Sequence, residues 1–253
     1  MSNMRKLNTD ILYAVASIVM LILLWQSLSI ALNKNYFPPF SNVIERFYEN
    51  ILNGIFVKNA ISSLTRILVA MLISLASGFA VGILITWFRI GYISNFIKVL
   101  VFLSYPIPHI TLLPILFYFF YVEWSKIVLI SIIIFYPLTL SIIEWSSRFP
   151  RDLGDLIYVM GGGRFDLFRY VILPSSLPGI LTGVRISFNT AYAVVFIVES
   201  LVGSDGLGYL IYNYWHILDY EDMYSAIIML SILGVSTYLI LLYLERKLLK
   251  WLY

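Results

Sequence analysis

The stretch 155–174 reads DLIYVMGGGRFDLFRYVILP and follows RFPRDLG. Asp152 is a residue type that opens helices, and Leu153, Leu156, Ile157 and Met160 then recur at helical spacing. Gly161, Gly162 and Gly163 permit positive φ and close backbone approach, so the helix can stop there and the chain can turn. A second helical piece starts at Arg164 and Phe165, ends near Leu173 and is closed by Pro174, with Pro178 beyond. The pattern is helix, turn, helix. On the residues alone it fits two roles: an element lying among lipid headgroups, arginines on anionic lipid and apolar residues in the acyl boundary, or a docking element for a partner. The glycine run lacks the Gly, four-residue gap, Gly-Lys-Ser/Thr order of a phosphate loop, so ATP is not expected to bind through it.

The surroundings decide the fold class. Of 253 residues, 60% are hydrophobic and 12% charged, against about a quarter charged in soluble domains, so the chain is built for lipid. Seventeen basic and fourteen acidic residues give a net charge of +3, too little for a nucleic-acid surface. The chain has no cysteine and two histidines, which excludes thiolate chemistry and argues against a histidine metal cluster. A bilayer core of about 30 Å needs roughly 20 apolar residues per helix, with every backbone group bonded within its segment. Six segments meet that requirement, at about 11–32, 64–88, 96–122, 124–145, 177–199 and 223–244. The third and fourth form a helical hairpin, and the polar interval 146–172 separates the fourth from the fifth. The expectation is an all-α membrane protein, a single permease-like domain over 1–253. The first span is longer than the usual 7 to 15 residue core of a cleaved signal and reads as a retained anchor.

Orientation follows from where the basic residues fall in the short loops. With both termini cytoplasmic, the inner side holds Arg5, Lys6, Arg89, Lys98, Arg148, Arg151, Arg164, Arg169, Arg246, Lys247 and Lys250. The loop 200–222 carries Asp205, Asp219, Glu221 and Asp222 and no Lys or Arg. The stretch 155–174 then lies on the cytoplasmic face.

Ionisable and helix-breaking residues inside the spans mark candidate pathway positions. Arg185 and Glu199 are 14 residues apart, about 21 Å on a straight helix, so each needs its own partner. Arg185 reads either as a cation for an anionic solute or as a structural arginine reaching the inner surface. Glu199 reads as a gate or interface residue, since a carboxylate repels anions. Pro106, Pro108 and Pro114 break the third span and free carbonyls that lipid does not tolerate, and His109 sits in that break. His109 is either a hydrogen-bond donor in a pathway or a packing residue. Ser74, Ser77, Gly78 and Gly82 allow close helix approach, read here as packing within the chain. No set of nucleophile, base and acid emerges.

The sequence resembles the inner-membrane permeases of binding-protein-dependent ABC importers. Their cytoplasmic motif runs Glu-Ala-Ala, three residues, Gly, nine residues, Ile, one residue, Leu-Pro. Here Asp155, Leu156, Ile157, Gly161, Val171, Leu173 and Pro174 keep every spacing, with Asp for Glu and two larger residues for the alanines. The likeness extends over most of the chain and narrows to the sulfonate, taurine and nitrate type. Phe37-Pro38-Pro39-Phe40-Ser41, PIPHITLLPILFYFFYVEWSKIVLI from 106, LPGILTGVRISF from 177 and GLGYLI from 206 each resemble family segments.

The resemblance implies a type I importer permease with a cytoplasmic coupling helix. Asp155, Leu156, Ile157, Met160, Gly161, Gly162, Gly163, Arg164 and Phe165 would dock on an ATPase. Partners would be two cytoplasmic ATPases, a second copy of the permease, an extracytoplasmic solute-binding protein and membrane lipid, with no nucleic acid. This chain would hold no cofactor, ATP and Mg2+ being bound by the ATPases, and would perform no chemistry itself. It would sit in a prokaryotic inner membrane and carry a small solute such as a sulfonate, taurine or nitrate. The rivals are an ion-gradient-driven transporter, for which neither an inverted repeat nor a midplane carboxylate is seen, and an intramembrane enzyme, for which no catalytic set is seen.

Overall fold

The computed structural model describes residues 2–87, 92–146 and 151–250, and all regular structure among them is helical. Arg89 and Arg148, both used in the charge assignment, lie outside the described residues, as do the ends of the chain and of the 64–88 span. In order the helices are α1 (Ser2–Leu32), α2 (Phe40–Leu52), α3 (Ile55–Trp87), α4 (Tyr92–Ser104), α5 (Leu113–Phe119), α6 (Val122–Ser146), α7 (Arg151–Val159), α8 (Arg164–Leu167), α9 (Leu173–Val202), α10 (Leu207–His216) and α11 (Tyr220–Leu248). Five helical stretches are long and apolar enough to cross a membrane, six if the bent pair Asn95–Ser104 and His109–Phe119 is taken as one span.

The core is a triad with α6 in the middle, packed by α3 on one side and α9 on the other. Lipid is as apolar as leucine, so helices in it associate through close packing and hydrogen bonds, which small residues favour. The Ser74 hydroxyl donates to the Ser131 carbonyl across the α3–α6 seam at 2.8 Å. A side chain at Gly78 would meet Thr139 Oγ1 at 2.7 Å, and one at Gly82 would meet Ile142 Cγ2 at 2.7 Å. The small-residue row of α3 therefore serves packing within the chain. On the other seam, Ser141 donates to the Gly179 carbonyl at 2.9 Å and Ser187 to the Ile134 carbonyl at 3.1 Å. Leu129, Ile130, Ile134, Leu138 and Ile142 of α6 are fully buried between the two neighbours.

The third apolar segment is broken, as its prolines predict: its halves are bent by 88°. Neither half alone reaches across a 30 Å core at about 1.5 Å per residue. Pro106 and Pro108 lie in the break, followed by a short 3-10 turn over His109–Leu112. The second span begins at Ile55 rather than 64, because Asn59 and Ser63 are buried polar residues on its first turns, which a hydropathy reading discards.

Two short helices were not anticipated. In α2, Val43, Phe47 and Asn50 share a buried face, and Asn50 donates to Asp222 at the start of α11 at 2.6 Å. Helix α10 buries Leu207, Leu210 and Ile211 against Phe47, Phe56 and Ala226. The C-terminal end of α1 is fastened to the segment before α2. Trp25 Nε1 donates to the Pro38 carbonyl at 3.0 Å, Ser29 to the Phe37 carbonyl at 2.7 Å, and Trp25 stacks on Phe37.

Gly183 tests the α6–α9 seam, since a Cβ there would meet Leu138 Cδ1 at 2.9 Å and Ser141 Cβ at 3.1 Å. Gly183→Val is expected to destabilise the chain by roughly 1–3 kcal/mol through overpacking, measured as unfolding in detergent.

Candidate functional site

Helix α7 ends in a motif that requires glycine. The Gly162 N–H donates to the Ile157 carbonyl at 2.9 Å and the Gly161 N–H to the Tyr158 carbonyl at 3.0 Å, with Gly161 at φ 83°. These are the paired hydrogen bonds of a Schellman cap, with glycine at the left-handed position. Gly161 faces open space, so only its dihedral constrains it, whereas a Cβ at Gly162 would meet Ile157 Cγ2 at 2.8 Å and the Ile157 carbonyl at 2.9 Å. Gly163 precedes α8, and its N–H donates to the Asp166 carboxylate at 2.8 Å. From α8 the chain runs through one π-turn over Phe168–Ile172 directly into α9.

Burial divides this hairpin in two. Ile157, Leu167 and Phe168 pack on the buried Ile83, Val171 and Ile172 and root the hairpin on α3 and the base of α9. Leu156, Val159, Met160 and Phe165 are exposed by 51, 84, 76 and 64%, and Asp155 and Arg164 are exposed with them. Contiguous apolar surface rimmed by charge marks an interaction site. The structure thus brings the nine residues 155–157 and 160–165 of the sequence motif into one protrusion, with Ile157 turned inward as its anchor.

The pathway candidates are dispersed. Pro106 and Pro108 are exposed in the break between α4 and α5. His109 packs against Tyr136 of α6 with the rings tilted by 33° and their centroids 4.6 Å apart. Arg185 lies beside Glu245 of α11, Nε to Oε2 3.4 Å. Glu199 is fully buried at the other end of α9. Each of the two span charges has its own partner from another helix.

Around Glu199 the structure assembles a cluster that the sequence reading missed. Arg66 of α3 donates to Glu199 at 2.6 Å, to the Asp205 carboxylate at 2.6 Å and to both oxygens of Glu123 at 2.5 and 2.9 Å. Lys126, itself buried, donates to Glu123 at 3.1 Å. Glu199 also accepts from the Ser63 hydroxyl and, at 2.9 Å, from the Gly208 N–H, while Ser63 accepts from the Leu207 N–H. The Gly206 N–H donates to Asn59. Gly206 sits at φ 103°, and any side chain there would overlap the Glu199 carboxylate. The GSDGLG turn is thereby clasped between α3, α6 and α9. The cost of burying Glu199 in hydrocarbon demands a cation, and Arg66 and Lys126, at the ends of their spans, were the candidates to try.

Removing one member of a buried ion pair strands the other, at a cost of roughly 3–5 kcal/mol. Arg66→Ala is expected to lose that much stability in detergent unfolding, whereas Arg46→Ala, on an exposed pair with Glu49, should lose no more than about 1 kcal/mol. Burial raises the Asp205 carboxyl, but hydrogen bonds from Arg66 and Ser62 outweigh it and hold it below the usual range. A depressed folded value means that the tether acts fully above pH about 4 and fades as pH falls through the folded value. Hydrogen-exchange protection at 203–210, taken relative to the intrinsic rate at each pH, should therefore fall only in that acid range.

The profile of the binding-protein-dependent transport system inner membrane component family matches residues 78–250. The formylaminopyrimidine transport permease of Halalkalibacterium halodurans is 27% identical over 92% of this chain and 93% of its own length. The taurine transport system permease of Escherichia coli is 24% identical over 97% of this chain and 91% of its own. A chain of the MetNI methionine ABC transporter, solved in inward-facing form, superposes with a TM-score of 0.67 at 20% identity, covering 80% of this chain and 98% of that one. Family, relatives and fold agree: the chain belongs to the inner-membrane components of binding-protein-dependent transport systems and is an ABC importer permease.

Proposed function

We propose that the α7–α8 hairpin is a coupling element gripped by a cytoplasmic ATPase, and that closure of two ATPases drives two copies of this chain between outward-open and inward-open states. The observation that carries this reading is the rooted, glycine-capped protrusion with its apolar residues outward. A partner shifts a conformational equilibrium only through contacts that differ between the two states. A protrusion continuous with α9 passes such a difference into the membrane. ATP and Mg2+ are then the ATPases' ligands, this chain holds no cofactor, and a solute-binding protein delivers the cargo on the opposite face. Both termini are cytoplasmic in this arrangement, on the side of Arg164, Arg169, Arg246 and Lys247.

The relatives named for taurine and for a formylaminopyrimidine point to a small heteroatom-bearing organic solute, and the sulfonate class is the one proposed here. Within the chain, the break at Pro106 and Pro108 with His109 exposes irregular backbone, which membrane proteins confine to protein interiors and water-lined paths. This break is the proposed position of the solute path.

Gly161→Val places a β-branched residue at φ 83°, where even an unbranched residue costs roughly 1–2 kcal/mol. The variant is expected to insert normally but to lose co-purification of the ATPase and ATP-driven uptake. Retention of both would show that the hairpin is not the grip. Because the chain has no cysteine, Asp155→Cys supplies a single reporter. A membrane-impermeant maleimide should label it in inside-out vesicles and leave right-side-out vesicles unlabelled.

A further inference from the structure

Where α9 meets the end of α11 there is a cavity of about 670 Å³ lined by Arg185, Leu242, Glu245, Arg246 and Lys250. Three basic side chains face one carboxylate, a formal charge of +2. Glu245 is buried and its Oε2, though 3.4 Å from Arg185 Nε, accepts no hydrogen bond from the described residues. Among the described residues Arg246 and Lys250 make no ion pair. Basic side chains gathered around a cavity are the chemistry of an anion site.

Depth identifies the anion. Counting from Met223, just past the acidic pair Glu221 and Asp222, about 20 residues at 1.5 Å each cross the hydrocarbon core and end near 243. Glu245, Arg246 and Lys250 therefore stand at headgroup level, and Arg185 reaches the same level from α9 through its contact with Glu245. Below them, Leu239, Ile240, Tyr243 and Leu244 of α11 are exposed by 56, 60, 65 and 41%. These offer an apolar flank for acyl chains and an aromatic at the interface. Basic pockets between spanning helices hold phospholipid headgroups by this combination.

We infer that the cavity binds the phosphate of an anionic phospholipid, with Arg185, Arg246 and Lys250 as donors and Glu245 as an internal competitor that weakens the grip. The site rests on the membrane placement of α11 and is independent of ATPase docking. The full-length chain, reconstituted with phosphatidylglycerol and phosphatidylcholine and exchanged into mild detergent, is assayed by native mass spectrometry for retained lipid. Wild type should retain phosphatidylglycerol selectively. Arg246→Gln with Lys250→Gln should cut that retention by roughly fivefold for each cation removed, the share one basic residue adds at an anionic surface. Arg46→Gln on α2 should leave it unchanged. Glu245→Gln should increase it, an opposite sign that a folding defect does not produce. Equal retention of both lipids in wild type overturns the proposal, as does indifference to these substitutions. Displacement of the lipid by millimolar inorganic phosphate would show a free-anion site and overturns it too.

Discussion

Arg66 holds three carboxylates at the point where α3, α6, α9 and the 203–208 turn converge. Arg66 and Glu199 are buried there while Glu123 and Asp205 stay partly exposed, so the Arg66–Glu199 pair needs its partners more than a surface pair would. An apolar replacement of the whole set would give comparable stability, since buried ion pairs repay a large desolvation cost. What the cluster adds is register. Glu199 is committed to Ser63, Arg66 and Gly208 at once, which fixes the end of α9 against α3 and leaves room only for a glycine at 206. Lower down, the small residues of both seams let α6 sit close to each neighbour. The triad is pinned by charge at one end and by steric fit along its length.

This arrangement gives the proposed coupling a mechanical form. The hairpin is rooted by Ile157, Leu167 and Phe168 on α3 and α9, and α8 continues into α9 through a single π-turn. A partner that tilts the hairpin therefore bears on the base of α9, whose far end is the pinned one. The 88° break between α4 and α5 lies beside α6, with His109 on Tyr136. Motion of the triad thus changes the surroundings of the break.

The helical class and the broken third segment were legible because both depend on local composition: long apolar runs, and prolines that cannot continue a helix. The glycine-centred hairpin was legible because only glycine adopts the left-handed cap at 161 without strain, so its spacing survives where the flanking alanines of the family do not. The Arg66 cluster was not. Its members come from 59–66, 123–126 and 199–208, and nothing local signals that Ser63 and Glu199 meet. A hydropathy window leaves Asn59 and Ser63 outside the span, when they are its buried, hydrogen-bonded first turns. Helices α2 and α10 were missed because each is too short to announce itself against a background so uniformly apolar. The sharp angle within the third segment also needed tertiary structure, since prolines mark a break without giving its direction.

The central claim is that this chain moves solute only when a separate ATPase works its hairpin. Proteoliposomes loaded with ATP on the ATPase side and offered taurine with a solute-binding protein measure this directly, comparing the permease alone with permease plus ATPase. The account predicts accumulation against a gradient only when the ATPase is present and ATP is hydrolysed. Accumulation by the permease alone, driven by an ion gradient without ATP, would contradict it.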